Sequence, residues 1–223
     1  MNNVYQKILS DLYHNGLYSS PRALKIKELL NYNFTLNNPL DNIITIPGFE
    51  TNVDYAEEEL RWYYAATNRI DFSDKIQKTW KNYSDDGIHV NSAYGYRIFG
   101  GNKQLNQWEW IKNKLKEDPD TRQAVININN VSDKEYPTKD FPCTVYVQLF
   151  IRDNQLYWLT NARSSDVVLG IRNDVYCFTK MQQKIALELN VGLGKYYQQC
   201  GSLHIYSKYF EKMEKTIKNA KTN

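Results

Sequence analysis

The chain has 223 residues, 42% hydrophobic and 24% charged, a balance typical of one soluble globular domain over residues 1–223. The net charge of +3 fits either an anionic small molecule or weak contact with nucleic acid. No apolar run approaches the ~20 residues that cross a bilayer, so we expect no membrane partner. Three widely spaced cysteines argue against a disulfide framework and indicate a cytoplasmic protein. Without Cys-x-x-Cys or His-x-x-x-His pairs, we expect no metal site.

The first quarter of the chain begins with helical periodicity. Apolar side chains recur at helical spacing, at Val4, Ile8, Leu9 and Leu12. The Asn-rich stretch 31–47, interrupted by Pro39 and Pro47, predicts short strands and turns instead of one long element. Asp54 is predicted to cap a second helix, with Glu57 at the capping-box offset.

The rest of the chain mixes helices and strands. Two further helices are predicted around Ile76 and Trp80 and from Leu105 to Leu115, before Pro119. The predicted strands are 125–128, 144–151, 156–161 and 196–206. Another helix is predicted from about Asp174 to Asn190, and a Lys-rich helix that frays after Phe210. The order of elements predicts an α+β fold.

Seven short motifs occur in a fixed order along the chain. They are Glu59-Leu60-x-Trp62, Trp80, Tyr94-Gly95, Asp118-Pro119-Asp120-Thr121-Arg122, Pro142-Cys143, Arg163-Ser164-x-Asp166-x-x-x-Gly170 and His204-x-Tyr206. Each is weak alone, but the ordered set resembles thymidylate synthase over roughly residues 50 to 210. The resemblance implies a three-layer α+β fold with a mixed β-sheet packed by helices. It also implies a homodimer whose interface is one face of the sheet.

A second set of motifs is more similar to the bacteriophage deoxycytidylate hydroxymethylases within this superfamily. The set is Asn91-Ser92-x-Tyr94-Gly95, Arg163-Ser164-x-Asp166-Val167-Val168, Arg172-Asn173-Asp174 and Gly201-Ser202-Leu203-His204. This resemblance implies transfer of a one-carbon unit from 5,10-methylenetetrahydrofolate to C5 of dCMP, followed by addition of water. It implies a small-molecule nucleotide substrate, no nucleic-acid partner, and the host cytoplasm if the chain is phage-encoded.

Cys143 is the candidate nucleophile. A pyrimidine C5 becomes nucleophilic once a thiolate adds to C6, and this covalent catalysis needs an activated cysteine. A lone cysteine is more often a buried structural thiol, but Pro142 and the downstream Arg163 favour the catalytic reading. Cys177 and Cys200 are expected to be structural.

Arg163 and Ser164 resemble the phosphate grip of the family, and a guanidinium can both pair with a phosphate and lower the pKa of a thiol. Arg22 matches the mobile phosphate loop less closely and could equally be a solvated surface residue. Arg122 matches an arginine that the family lends across the dimer interface. The family often has two adjacent arginines there, whereas this chain has Gln123 in the second position.

Glu59 resembles the glutamate that organises proton transfer at the base. Its place in the run Glu57-Glu58-Glu59 could instead indicate a solvated helix face, but helical spacing from Leu60 puts it near the buried side. Tyr94 resembles the tyrosine beside the proton-abstraction site. Trp80 resembles part of the wall that contacts folate and substrate, and it could also be core.

His204 and Tyr206 alternate on one face of a predicted strand and resemble the pair that binds the sugar 3′-hydroxyl. A structural role is the usual one for an isolated histidine. Asp166 resembles the aspartate that accepts a pair of N–H donors from the pterin of the folate. From the sequence alone it could merely cap a turn.

Asp174 occupies the position at which the uracil-using members carry an asparagine. Cytosine offers an N3 acceptor and an N4 donor, which a protonated carboxyl complements, and an ionised carboxylate could pair with cytosine protonated at N3. A mismatched base would leave buried polar groups unpaired. The alternative is that Asp174 only caps the helix that begins there.

Two rival interpretations remain open. One is a thymidylate synthase that converts dUMP to dTMP, or a dUMP hydroxymethylase, with Asp174 accommodated in a rearranged pocket. The final Lys-Thr-Asn lacks the apolar closing tail of the synthases, which favours water over hydride as the last reactant. The other is a non-catalytic nucleotide-binding or RNA-binding relative, suggested by the mild basicity and the 18 tyrosines.

Overall fold

The structure is a computed structural model that describes residues 1–135 and 137–220, and this part contains seven α-helices and six strands. The helices are α1 (Asn2–Asn15), α2 (Val53–Tyr64), α3 (Asp74–Trp80), α4 (Tyr94–Ile98), α5 (Gln107–Glu117), α6 (Ile171–Leu189) and α7 (Phe210–Ala220). The strands are β1 (Leu17–Ser19), β2 (Ile26–Leu36), β3 (Val125–Asn127), β4 (Thr144–Arg152), β5 (Gln155–Asp166) and β6 (Gly192–Tyr206). No helix in these ranges is long and apolar enough to cross a membrane.

The strands form one mixed sheet in the order β1-β2-β6-β5-β4-β3. All neighbours are antiparallel except β5 and β6, which are parallel. A parallel pair needs a crossover connection, and α6 provides it. Along β5 the residues Leu156, Trp158, Thr160 and Ala162 are buried and alternate with partly exposed ones. Period-two alternation therefore gives the sheet one face packed against helices and one face that none of the described helices covers.

Three layers follow from how the helices pack. Helix α6 lies against β5 and β6, and α2 packs on α6. The buried residues of α2 follow helical spacing and are Ala56, Glu59, Leu60, Trp62 and Tyr63. The α+β class and the layered architecture expected from the resemblance are confirmed.

Local chemistry explains the elements that the sequence predicted well. Helix α1 buries Ile8, Leu9 and Leu12 and ends before Gly16, as the periodicity indicates. The β4–β5 hairpin turns at Asp153 and Asn154, whose φ angles of 51° and 55° lie in the left-handed region that Asp and Asn tolerate.

Two predictions in the first quarter of the chain were wrong. Residues 31–36 belong to the eleven-residue strand β2 instead of short strands and turns. Asn31 adopts a φ of 51°, but Leu30 and Tyr32 on either side pair with Ser202 and Cys200 of β6 in one unbroken register, so the residue that suggested a turn is a local distortion inside the strand. Helix α2 is capped by Asn52, whose side chain accepts from the Tyr55 N–H, and not by Asp54.

Other boundaries also differ from the prediction. Helix α4 was missed because five residues carry little periodicity. Helix α6 begins at Ile171 after Gly170, so Asp174 lies inside its first turn and does not cap it. Strand β5 continues past Asn161 to Asp166 because its pairing with β6 continues. The last three residues, including the tail considered above, lie outside the described residues.

Candidate active site

Cys143 immediately precedes β4, in a loop that Arg163 holds on one side. The Arg163 side chain donates from Nε to the Pro142 carbonyl at 2.9 Å and from Nη2 to the Phe141 carbonyl at 2.8 Å. Its Nη2 also lies 3.8 Å from the Cys143 Sγ. The backbone N–H of Arg163 donates to the Cys143 carbonyl at 2.9 Å. Strand β5 thus fixes both the backbone and the electrostatic surroundings of the thiol.

The electrostatics of the thiol are balanced between opposing effects. Burial raises the pKa of Cys143 above its ordinary value, and the Arg163 guanidinium acts in the opposite direction. Arg22 also lowers this pKa, although its side chain is exposed. Ligand binding that strengthens the positive field around Sγ would therefore favour the thiolate.

Tyr94 joins the cysteine loop to the helices. Its hydroxyl accepts a hydrogen bond from the Thr144 N–H at 3.1 Å, one residue after Cys143. Its ring stacks on Phe178 of α6 with a centroid distance of 5.9 Å. Gly95 allows α4 to lie close against α2, since a Cβ at this position would lie 2.1 Å from the Tyr63 carbonyl oxygen. The phenol is thereby held beside the nucleophile.

Glu59 is buried, and Asp174, which is half-buried, acts on it electrostatically. Glu59 is 5% exposed, and its Oε2 has no hydrogen-bond partner among the described residues. Burial and the charge of Asp174 raise the pKa of Glu59 to about 8. Burial raises the pKa of Asp174 to about 7. Two carboxyl groups that retain protons near neutral pH can act as hydrogen-bond donors or as acids.

The ends of β5 and β6 bring the predicted phosphate and sugar residues together. The parallel register pairs Ser164 with Ser202 and Asp166 with His204. Burial lowers the pKa of His204, and its Nδ1 has no partner in the described part of the chain. The Tyr206 ring lies edge-on to His204, with a centroid distance of 5.2 Å. The extension of β5 beyond its predicted end creates this cluster.

Asp166 has two different carboxylate oxygens. Its Oδ1 accepts from the Val168 and Leu169 N–H groups at 2.5 and 2.9 Å, which is the turn-capping role. Its Oδ2 is buried and has no partner among the residues described. Burial raises the pKa of this carboxyl group. One oxygen therefore remains available to a ligand, and an unpaired buried oxygen costs stability until one binds.

A cavity of about 930 Å³ opens beside these groups. Its lining includes the predicted residues Arg22 and Tyr206. It also includes three lysines and an aromatic ring that sequence reasoning missed, which are Lys25, Lys139, Lys208 and Tyr83. No motif marks these lysines, because they come from three separated segments. The basic lining suits an anionic ligand.

Comparison with known proteins defines the family. The thymidylate synthase family model matches residues 3–223. The chain belongs to the thymidylate synthase family. The match confirms the resemblance, the fold class and the expectation of an enzyme of this type.

Individual relatives of this thymidylate synthase family member differ in the base they use. A deoxyuridylate hydroxymethyltransferase of Bacillus phage SP01 is 31% identical over 91% of this chain, which spans 56% of that relative's length. A deoxycytidylate 5-hydroxymethyltransferase of Enterobacteria phage T4 is 29% identical over 77% of this chain and 74% of its own. A thymidylate synthase of Fusobacterium nucleatum is 25% identical over 94% of this chain and 80% of its own.

Two predicted site residues of this family member lie apart from the cluster. Trp80 is partly buried, donates its indole N–H to the Tyr55 hydroxyl at 3.1 Å, and packs against Trp62 and the cavity residue Tyr83. Arg122 is exposed just before β3, at the sheet edge opposite β1, and its carbonyl accepts from the Gln148 side chain. Within the described residues, no group of three or more His, Cys, Asp or Glu side chains could hold a metal ion.

Proposed function

We propose that this enzyme is a dCMP 5-hydroxymethyltransferase that uses 5,10-methylenetetrahydrofolate as co-substrate. The observation that carries the proposal is the carboxyl group of Asp174, whose pKa burial raises to about 7 and whose position matches the residue that contacts the pyrimidine in the family it resembles. Its protonated form donates one hydrogen bond to cytosine N3 and accepts one from N4, a pattern that uracil does not offer. Its ionised form needs cytosine to carry the proton at N3. In either arrangement one proton lies between the Asp174 carboxyl group and cytosine N3.

Cys143 begins the chemistry by adding its thiolate to C6 of the base, which makes C5 nucleophilic. The Arg163 guanidinium, 3.8 Å from Sγ, favours the thiolate once a substrate displaces surrounding water. C5 would then bond to the methylene carbon of the folate and give up its proton, and elimination of tetrahydrofolate would leave an exocyclic methylene on C5. Tyr94, whose hydroxyl accepts from the N–H of Thr144 next to Cys143, would assist removal of that proton.

Glu59 manages the remaining proton transfers. Because its pKa is raised to about 8, the carboxyl group holds a proton at neutral pH and can pass it to the base or to an ordered water. Water adds to the exocyclic methylene on C5, and elimination of Cys143 from C6 releases 5-hydroxymethyl-dCMP. Hydride transfer to the same intermediate would give a methyl group instead.

Asp166 is the residue that we expect to hold the folate. The unpartnered buried Oδ2 of this residue can accept an N–H donor of a pterin. Tyr83 lines the cavity, and Trp80 packs against it to support this wall. Methylenetetrahydrofolate would supply the one-carbon unit at the oxidation level of formaldehyde.

The nucleotide is held at its phosphate and sugar ends by different elements. Arg163, Ser164 and Arg22 would bind the phosphate, in keeping with the basic lining of the cavity. The unpartnered Nδ1 of His204 and the adjacent Tyr206 would bind the 3′-hydroxyl of a deoxyribose. Both riboses and deoxyriboses carry that hydroxyl, so deoxyribose is inferred from the family.

We further propose a homodimer formed through the sheet face that carries no helices. This face has half-buried side chains in three adjacent strands, including Tyr157 and Tyr197, whose rings stack at 6.3 Å. Asn161 and Gln199 hydrogen-bond on the same face. Arg122 does not line the cavity of its own chain, which supports its donation to the partner's phosphate site. The three free thiols fit the proposed cytoplasmic location.

A dUMP hydroxymethyltransferase is the second candidate. The SP01 phage relative named for deoxyuridylate aligns over 91% of this chain at 31% identity, which favours this reading. Thymidylate synthase activity is the third, because the family includes it. In both alternatives the Cys143 thiolate adds to C6 of the base. The dUMP hydroxymethyltransferase would differ in how the pocket around Asp174 accommodates uracil, and the thymidylate synthase would in addition transfer hydride instead of water.

The deciding experiment supplies equimolar dCMP and dUMP with methylenetetrahydrofolate and identifies the products by mass spectrometry. We expect hydroxymethyl-dCMP from the wild type and a shift of preference towards dUMP in Asp174→Asn. Hydroxymethyl-dUMP from the wild type would establish the second candidate, and thymidylate the third. An Asp174→Asn variant with unchanged base preference would refute the account of base recognition.

A further inference from the structure

The loop that carries Cys143 is attached to one distant segment on both of its sides. After the cysteine, the Thr144 N–H donates to the Tyr94 hydroxyl at 3.1 Å. Before it, the Asp140 Oδ2 accepts from the Ser92 N–H at 2.6 Å. The segment from Ser92 to Tyr94 therefore holds the nucleophile through two hydrogen bonds.

Asp140 is well placed to hold this loop. The residue is 7% exposed, and its own N–H donates to the Thr138 hydroxyl at 3.1 Å. Asp85 extends the attachment by accepting from the Thr138 hydroxyl at 2.7 Å and from the Lys139 N–H at 3.0 Å. A buried carboxylate that accepts from a backbone N–H makes a strong, geometrically specific bond. No feature of the sequence marked this residue.

We propose that Asp140 is a positioning residue, whose carboxylate fastens the loop before Cys143 to the backbone of Ser92 and so sets the distance between the thiol and Tyr94. This inference rests on the proposed role of Cys143. Displacement of a reacting atom by about 1 Å can cost on the order of 100-fold in rate. A loop fastened on one side only would leave that distance free to vary.

The charge of Asp140 has a second effect on the thiol. It raises the pKa of Cys143, in the same direction as Asp174 and against Arg163 and Arg22. The charge of an ionised Cys143 in turn raises the pKa values of the Tyr94 and Tyr206 phenols, so both of these groups face the thiol. The Cys143 thiol of a variant without the Asp140 charge should thus ionise at lower pH.

Two substitutions separate the hydrogen bond from the charge. Asp140→Asn keeps an acceptor for the Ser92 N–H and removes the charge, whereas Asp140→Ala removes both. Asp153→Asn is the matched control, since Asp153 is exposed in the β4–β5 turn and its φ of 51° suits asparagine. If the alanine variant does not fold, Asp140→Ser replaces it, because a serine side chain is too short to reach Ser92.

The first measurement is turnover of the full chain together with nucleotide affinity. We expect kcat to fall about 10-fold or more in Asp140→Ala and less than about 3-fold in Asp140→Asn, with the nucleotide Kd within about 3-fold in both. Equal losses in the two variants, or an alanine variant with nearly normal kcat, would overturn the proposal.

The second measurement is alkylation of Cys143 by iodoacetamide as a function of pH, followed by mass spectrometry of its peptide. We expect the midpoint to move to lower pH in both Asp140 variants and to stay in place in Asp153→Asn. At high pH, where the thiol is fully ionised, the alanine variant should react faster than the asparagine variant because its loop is released. An unmoved midpoint or equal limiting rates would count against Asp140. This assay needs no substrate, so it decides the inference even if neither dCMP nor dUMP is turned over.

Discussion

Replacement of Glu59 by glutamine should change how the stability of the protein depends on pH. In the folded protein, burial and the charge of Asp174 raise the pKa of Glu59 from 4.5 to about 8. An unfolded chain loses that proton near the lower value. Between the two values unfolding releases a proton, so the free energy of unfolding falls as the pH rises. Glutamine has no such proton and removes this part of the pH dependence.

The size of the effect follows from the two pKa values. Each pH unit between them is worth about 1.4 kcal/mol, so the penalty caused by Glu59 grows by about 3 kcal/mol between pH 5 and pH 8. The Glu59→Gln variant should therefore gain about that much free energy of unfolding over the wild type across this range. At pH 5 the contribution of this titration is below about 1 kcal/mol.

Urea denaturation followed by far-UV circular dichroism at several pH values measures this difference directly. Glu58→Gln is the control, because Glu58 is on the same helix and pairs with Arg61 at 2.5 Å. A difference between Glu59→Gln and wild type that stays constant from pH 5 to pH 8 would refute the buried, protonated state of Glu59. It would also remove the basis for its proposed role in proton transfer.

Three further predictions concern the chemistry. Cys143→Ser should lower turnover by on the order of 10⁴-fold or more while nucleotide binding by calorimetry persists, and intact function would favour a non-catalytic relative. Binding of dCMP should weaken about tenfold per pH unit above about 7 in the wild type, as Asp174 loses its proton, and should not show this loss in Asp174→Asn. The same pH dependence in the two proteins would contradict that assignment. Cys143→Ser and Arg122→Ala chains should regain activity when mixed, since one site of the mixed dimer has both residues intact. Activity that is not restored would argue against donation of Arg122 across the interface.

Local features of the fold were accessible from the sequence because neighbours along the chain determine them. The burial of Ile8, Leu9 and Leu12 in α1 follows from their spacing alone. The turn at Asp153 and Asn154 follows from the backbone angles that these residue types tolerate. The ordered motifs predicted the family, which the match over residues 3–223 confirms.

Features that depend on pairing between distant segments were not accessible. Asn31 indicated a turn, but pairing with β6 on both sides keeps it inside β2 despite its φ of 51°. Asp174 had the residue type of a helix cap, yet α6 begins at Ile171. Helix α4 is too short for periodicity, and the close approach at Gly95 places it against α2.

The sequence by itself determined which chemical groups are available, namely one motif cysteine, the carboxyl groups and the basic residues. The tertiary structure decided their state. Burial by segments far apart in the chain raises the pKa of Glu59 to about 8 and that of Asp174 to about 7, and it leaves the Asp166 Oδ2 and His204 Nδ1 without partners among the described residues. Solvation and field depend on every atom within a few ångströms, whatever its position in the sequence. For that reason the motifs predicted the identity of the site residues, whereas Asp140 emerged only from the assembled fold.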